Sequence, residues 1–204
     1  MIPRPIGWIS SLSADGVANL APYSYFNAVA HDQPHVMFSS IGLKDTLRNI
    51  RQTQEFVCNI VTMEVIEKMN FTATNFPGEE DEFGWAGLTP GPSRLVRPSR
   101  VVQAKAHLEC RCREIVAAGN GQIVIGEVVH IHVQASAWEA GRVSPRRLDP
   151  VCRLSGSGYA RLGDIYRLPR ETWRSSETGR GDAQAGPSMP RLARSDSGEV
   201  ETVE

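Results

Sequence analysis

The stretch Ala18-Asn19-Leu20-Ala21-Pro22-Tyr23-Ser24-Tyr25-Phe26-Asn27 constrains the fold more than any other part of the chain. The turn signal Ala14-Asp15-Gly16 precedes it, so Val17 to Ala21 reads as a strand leaving a hairpin tip. Pro22 then removes a ladder donor and breaks the alternation. The five residues that follow are two tyrosines, a serine, a phenylalanine and an asparagine. A core strand has no packing reason for that composition. A site that holds a flat aromatic ligand and satisfies its polar edge does have one, and so does an interface strand. The stretch alone leaves both readings open.

Strands dominate the rest. Ile6 to Ser13 is a first strand, and His35 to Ile41, between Pro34 and Gly42, reads as a buried one ending in Ser39 and Ser40. Asp45 is a good N-cap for a short helix carrying Leu47 and Ile50 on one face. Glu55 to Val61 is a further strand, after which Thr62 caps a helix through Val65, Ile66 and Met69. From Phe71 to Pro98 the periodicity dissolves, with an acidic run from Glu79 to Glu82. An excursion of that length is expected to be functional, mobile or a solvated insertion.

Val101 to Ile115 and Gln122 to Trp138 form an antiparallel pair joined by Ala117-Ala118-Gly119-Asn120-Gly121. Ala104, Ala106, Leu108, Cys110 and Cys112 share one face of the first strand, and Gln103, Lys105, His107, Glu109, Arg111 and Arg113 the other. In the second, Val129, Ile131 and Val133 oppose His130 and His132, so one face is expected to be wet. With few and short helices, the class is mainly β and the architecture a barrel. Residues 148–169 form the last ordered piece. At 204 residues one domain is expected, here residues 1–173, because from 174 onward apolar residues are too scarce to offset ordering entropy.

A net charge of −1 gives no electrostatic case for nucleic acid or an anionic membrane, and no apolar run is long enough for a spanning helix. Met1-Ile2-Pro3-Arg4-Pro5 has neither a basic leader nor an apolar core, so no signal peptide is expected. The first strand starts close to Met1, and an upstream strand is expected to precede it or to be supplied otherwise. Cys58, Cys110, Cys112 and Cys152 have no framework spacing and read as reduced thiols of a cytoplasmic protein.

The best anion site lies at Ser39-Ser40, Gly42 and Lys44-Asp45-Thr46, where a strand ends and a helix begins. The helix offers free N–H groups and a positive dipole end, Lys44 a full charge, and Ser39 and Thr46 hydroxyls. A phosphate monoester fits there, although a capped helix beside an exposed lysine has the same sequence. The P-loop spacing is absent. His130-x-His132 lacks a third ligand at a suitable spacing, so no metal is expected. Cys110-x-Cys112 reads as core packing. No nucleophile elbow or triad signature is present, and no catalytic side chain is assigned. A flat ring plus a phosphate suggests FMN or pyridoxal phosphate, and the physics does not choose between them.

Together these residues resemble a family. Pro3-Arg4-Pro5-Ile6-Gly7-Trp8-Ile9-Ser10, Asp15-Gly16, Asn19 to Asn27, Lys44 to Ile50, Glu55-Phe56-Val57-Cys58-Asn59, Arg153-Leu154-Ser155-Gly156 and Tyr159 to Gly163 are similar to the flavin reductase-like FMN-binding family, which includes flavoredoxin-type proteins. The resemblance implies an FMN-binding split β-barrel, noncovalent FMN, and a homodimer with the flavin near the subunit boundary. Carried over by position, Asn19, Pro22, Tyr23, Ser24 and Tyr25 would line the ring and ribityl chain. Ser39, Lys44, Asp45 and Thr46 would hold the phosphate, with Asn59 and Tyr159 as further candidates and Tyr159 placed to reach the partner's flavin.

The activity so implied is an FMN-dependent oxidoreductase, reduced by NADH or NADPH and serving a small molecule, a partner oxygenase or an electron-transfer protein. The alternatives are a non-catalytic FMN carrier or sensor and a pyridoxamine-phosphate oxidase-like enzyme, whose phosphate site should be richer in arginine. Deleting residues 175–204 is expected to leave Tm nearly unchanged in a thermal melt. A drop of many degrees would show that the tail packs.

Overall fold

The computed structural model of the protein describes residues 1–169. One unit runs from Met1 to Arg161 and a second begins at Leu162. The tail expected from residue 174 lies outside the described residues. The first unit carries, in order, β1 (Arg4–Pro5), β2 (Gly7–Leu12), β3 (Ala18–Tyr23), β4 (Phe26–Ala30), β5 (His35–Ile41), α1 (Asp45–Thr53) and β6 (Glu55–Ile60). There follow α2 (Ile66–Phe71), α3 (Glu82–Trp85), β7 (Pro90–Gly91), β8 (Arg100–Val101), β9 (Ala106–Ala118) and β10 (Gly121–Val133). Last come β11 (Trp138–Glu139), β12 (Arg142–Val143), α4 (Pro145–Leu148), β13 (Val151–Arg153) and β14 (Tyr159–Arg161).

The main sheet has the order β3-β2-β6-β9-β10-β5-β4. Its two edge strands are consecutive in the chain, separated only by Ser24 and Tyr25. Residues 18–30 are therefore one bent strand that serves both edges and closes the sheet into a barrel, leaving fewer free edges to manage. The Ser39 amide donates to the Tyr25 carbonyl at 2.8 Å across the closure. The Tyr23 and Phe38 rings meet there at 4.6 Å between centroids. Pro22 is tolerated because β3 has a ladder partner on one side only, where Pro22 stands opposite Trp8. Close approach at this seam also needs Gly7, since a Cβ there would lie 2.6 Å from the Phe26 ring.

Alternation along β5 buries Val36, Phe38 and Ser40 and leaves Met37 and Ser39 half-buried, so β5 is buried on one face rather than both. The barrel core joins Ile9, Val36, Phe38, Phe56, Cys58, Cys110, Val124 and Val128 to Leu47 and Ile50 of α1. A second core lies under the excursion, where Phe83, Leu88, Val101 and Ala104 pack with Ile6, Trp8, Leu20, Val65 and Met69. The excursion is thus a structured layer rather than a solvated or mobile loop. The Trp8 indole donates to Thr72 Oγ1 at 2.9 Å, which ties that layer to β2.

Several local expectations shift. Lys44, not Asp45, is the N-cap of α1, and Asp45 is its first residue, paired with Arg48 at 2.5 Å. Thr62 makes no cap hydrogen bond; its hydroxyl is buried without a partner, a 3₁₀ turn at Met63–Val65 follows, and α2 starts only at Ile66. The strand expected from Val101 begins at Ala106, and Arg100–Val101 pairs with Pro90–Gly91 instead. Its partner ends at Val133 rather than near Trp138.

The expected wet face is also partly wrong. A bulge between Val128 and His130 resets the parity of β10. Ile131 comes opposite Leu108 and is exposed, while His132 comes opposite His107 and turns toward Glu109. His107 and Glu109 are buried. The Glu109 carboxylate accepts from the Arg94 and Leu95 amides at 2.7 and 2.6 Å and from His132 Nε2 at 2.5 Å, pinning the excursion to β9. Burial pushes its carboxyl up, but these hydrogen bonds outweigh burial and hold it below the usual carboxylate range.

Burial pulls His107 down to about 4, against a weaker opposing hydrogen bond to the Val101 carbonyl at 2.7 Å. Between pH 6.5 and about 4 the unfolded chain therefore binds the His107 proton and the folded one does not, so stability is lost as pH falls through that window. The loss reaches about 3 kcal/mol at the acid end, on the order of 1.4 kcal/mol per pH unit. Glu109, with a depressed folded value, adds loss in the same direction at lower pH. Tm is expected to fall as pH is lowered from 6.5 toward 4. His107→Gln, which keeps a donor and removes the titration, should flatten that limb; an unchanged slope would assign it elsewhere.

Candidate functional site

β3, the loop before α1, the first turn of α1 and the segment after α2 meet around a cleft of about 340 Å³. Asn19, Ala21, Pro22 and Tyr23 form one wall, Leu43 to Thr46 with Arg48 the second, and Thr72 to Phe76 the third, with Glu82 also lining it. The size suits a small-molecule site.

The helix end is the positive side of the cleft. Gly42 has φ of +72°, a left-handed conformation that turns the chain from β5 into α1. No side chain caps the first turn of α1, so its N–H groups are left to solvent or a ligand. Lys44 Nζ donates to Asn75 Oδ1 at 3.1 Å and so carries its charge at the mouth without a carboxylate partner. Asp45 and Arg48 largely neutralise each other at 2.5 Å.

The floor is a buried polar network. Asn19 Oδ1 accepts from Thr46 Oγ1 at 2.6 Å and from Ser11 Oγ at 3.3 Å, and Ser11 Oγ accepts from Asn49 Nδ2 at 3.2 Å. Asn19 Nδ2 donates to Glu82 Oε1 at 2.8 Å, while the Leu20 amide donates to Glu82 Oε2 at 2.9 Å. Glu82 thus occupies the open side of β3, where another strand would otherwise bond. Burial pushes its carboxyl up, with these hydrogen bonds opposing. Burial also raises the Tyr23 hydroxyl, opposed by hydrogen bonds with Thr46 and Ser40.

Of the residues expected at the site, the cleft unites Asn19, Pro22, Tyr23, Lys44, Asp45 and Thr46. Ser39 points the other way, toward Gly121, where an added Cβ would lie 2.8 Å from its Oγ. Strand parity gives its expected place near Tyr23 to Ser40. Ser24 and Tyr25 do not line the cleft; Tyr25 is exposed under the Arg4 guanidinium, 5.2 Å from the ring centroid. Asn59 is fully buried away from it, donating to the Trp8 carbonyl at 2.9 Å and accepting from the Val101 amide at 2.8 Å. It is a strut between β2, β6 and β8. Tyr159 also stands outside the cleft, its hydroxyl donating to Asn70 Oδ1 at 2.9 Å.

Sequence reasoning missed Glu82 and the Thr72–Phe76 wall. Glu82 sits in an acidic run that reads as solvated, and no periodic signal marks it: Phe83 and Leu88 behind it stand five residues apart, off helical spacing.

The donor set fits a flavin phosphate: one ammonium and helix amides, with the Thr46 hydroxyl beside them, and Pro22 and Tyr23 on one wall and Phe76 on another offer apolar and aromatic surface for the ring. A barrel closed by one bent strand, with this polar cleft at its seam, is the architecture of the split-barrel, flavin-related oxidoreductases. The comparisons agree. A family model described as flavin reductase like domain matches residues 1–146. The nitrilotriacetate monooxygenase component B from Bacillus cereus is 36% identical, with a TM-score of 0.78 over 82% of this chain and 88% of that one. The Pseudomonas fluorescens 2-nitrobenzoate 2-nitroreductase is 31% identical, with a TM-score of 0.78 over 85% of this chain and 87% of that one. An uncharacterized protein of Aquifex aeolicus (strain VF5) is 39% identical over 168 residues, 79% of this chain and 85% of its own length. The chain belongs to the flavin reductase-like domain family.

Proposed function

We propose that the protein binds FMN in this cleft and acts as an NAD(P)H-dependent FMN oxidoreductase. One observation carries the reading: the uncapped α1 N-terminus with Lys44 and Thr46 is the positive end of a cleft whose other wall is Pro22 and Tyr23. Bound FMN supplies the hydride and electron chemistry. Lys44 and the α1 amides bind the phosphate, Thr46 orients it, and Pro22, Tyr23 and Phe76 exclude water from the ring.

Reduced flavin serves a partner oxygenase or a small electron acceptor. The 36% likeness to a monooxygenase component B supports the first and the 31% likeness to a nitroreductase the second. The working unit is a homodimer, a reading supported by the free outer edge of β4 with Val29 and Tyr25 exposed.

The test is an anaerobic absorbance spectrum of FMN-loaded protein before and after NADH or NADPH. Flavin bands that bleach support the reductase. Bands that persist favour a carrier or another donor, and failure to take up FMN removes the reading. Lys44→Ala should weaken FMN binding about tenfold, the loss of one exposed charge-assisted hydrogen bond, with the fold intact by circular dichroism. Unchanged affinity in a fluorescence titration would take Lys44 out of the phosphate site.

A further inference from the structure

We infer that Glu82 is the proton-holding and positioning residue of the cleft, which as a carboxylate fixes Asn19 and β3 and takes up a proton when a flavin phosphate ester binds. The inference rests on the function proposed above and adds a residue that the motifs did not point to.

Glu82 is 5% exposed, yet it lines the cleft. Both of its bonded neighbours are donors, Asn19 Nδ2 and the Leu20 amide. Through Asn19 it sets the acceptor to which Thr46 and Ser11 donate, so one carboxylate orders the hydroxyls on the cleft floor. No cation neutralises it: among the described residues it forms no salt bridge, Lys44 Nζ bonds the neutral Asn75 Oδ1 rather than Glu82, and Arg48 pairs with Asp45.

The charged and titratable groups around it are Asp81 on its own helix, Tyr23 on β3, and Lys44, Asp45 and Arg48 across the cleft. Asp81 adds negative potential, and burial already favours the protonated form. A phosphate in the same cleft adds negative charge in a medium less screening than water, which raises the proton affinity of an unpaired carboxylate. Once protonated, its O–H finds no acceptor in the Leu20 amide, and Asn19 could accept it only by turning its Oδ1 away from Thr46 and Ser11, so an acceptor brought into the cleft by the ligand favours the protonated form. The proton comes from solvent and no bond of the ligand changes.

The experiment is calorimetric titration of FMN into wild type and Glu82→Gln, above the second phosphate pKa of about 6, in two buffers of different ionisation enthalpy. Wild type should take up as much as about one more proton per site than Glu82→Gln. Its FMN affinity should strengthen by up to about tenfold per pH unit as pH falls, with the variant flatter. A merely structural Glu82 would lower affinity without changing either proton count or slope, and equal proton counts overturn the inference.

Should Glu82→Gln fail to fold, the wild-type infrared difference spectrum decides. A protonated-carboxyl stretch that appears on adding FMN supports the inference, and its absence overturns it. Wild type that binds FMN without proton uptake refutes only this inference. Wild type that binds no FMN refutes the proposed function itself.

Discussion

One bent strand closes this molecule. Because β3 and β4 are the two edges of a single sheet and only Ser24 and Tyr25 separate them, the chain must bring both edges together wherever it turns. Closure fixes Tyr23 against Phe38 and places Pro22 where a missing donor does no harm. It also sets the start of α1 beside β3, since β5 runs along the seam and delivers the chain into the helix. The cleft is a consequence of that closure rather than an independent feature.

The excursion completes the site. A segment with poor periodicity buries Phe83 and Leu88 against Trp8 and Leu20, and once anchored there it supplies the third wall of the cleft. Two buried carboxylates stitch it down by the same device, an acceptor pair facing backbone amides. Glu82 takes the Leu20 amide and Glu109 the Arg94 and Leu95 amides. Their charge states diverge because of what else they touch. Glu109 has the His132 ring as a third hydrogen-bond partner and is held low, while at Glu82 burial outweighs the two donors and pushes the carboxyl up. The first is a structural tie, and the second is left responsive to whatever fills the cleft.

Much of the candidate cleft was legible because its residues lie in two short runs whose chemistry is local. Asn19, Pro22 and Tyr23 stand in an unusual strand, and Lys44 to Thr46 open a helix. Ser39 stands by Gly121 and Ser40 by Tyr23 because adjacent hydroxyls on a strand face opposite ways, and only register tells which one faces the barrel. Asn59 looked like a site residue by position, yet its amide is spent on the Trp8 carbonyl and the Val101 amide, contacts across 51 and 42 residues.

The sequence by itself determined the β-rich class, the main strands in chain order, the start of α1 and the family, because alternation, turn residues and motif order are local properties of the chain. Only the tertiary structure decided that the excursion is a core layer, that His107 and Glu109 are buried, and that Glu82 belongs to the cleft. The physical reason is that burial of a polar side chain depends on partners distant in the chain. Glu82 is acceptable inside because an amide and an Asn side chain more than sixty residues away donate to it, and nothing in its own neighbourhood announces them.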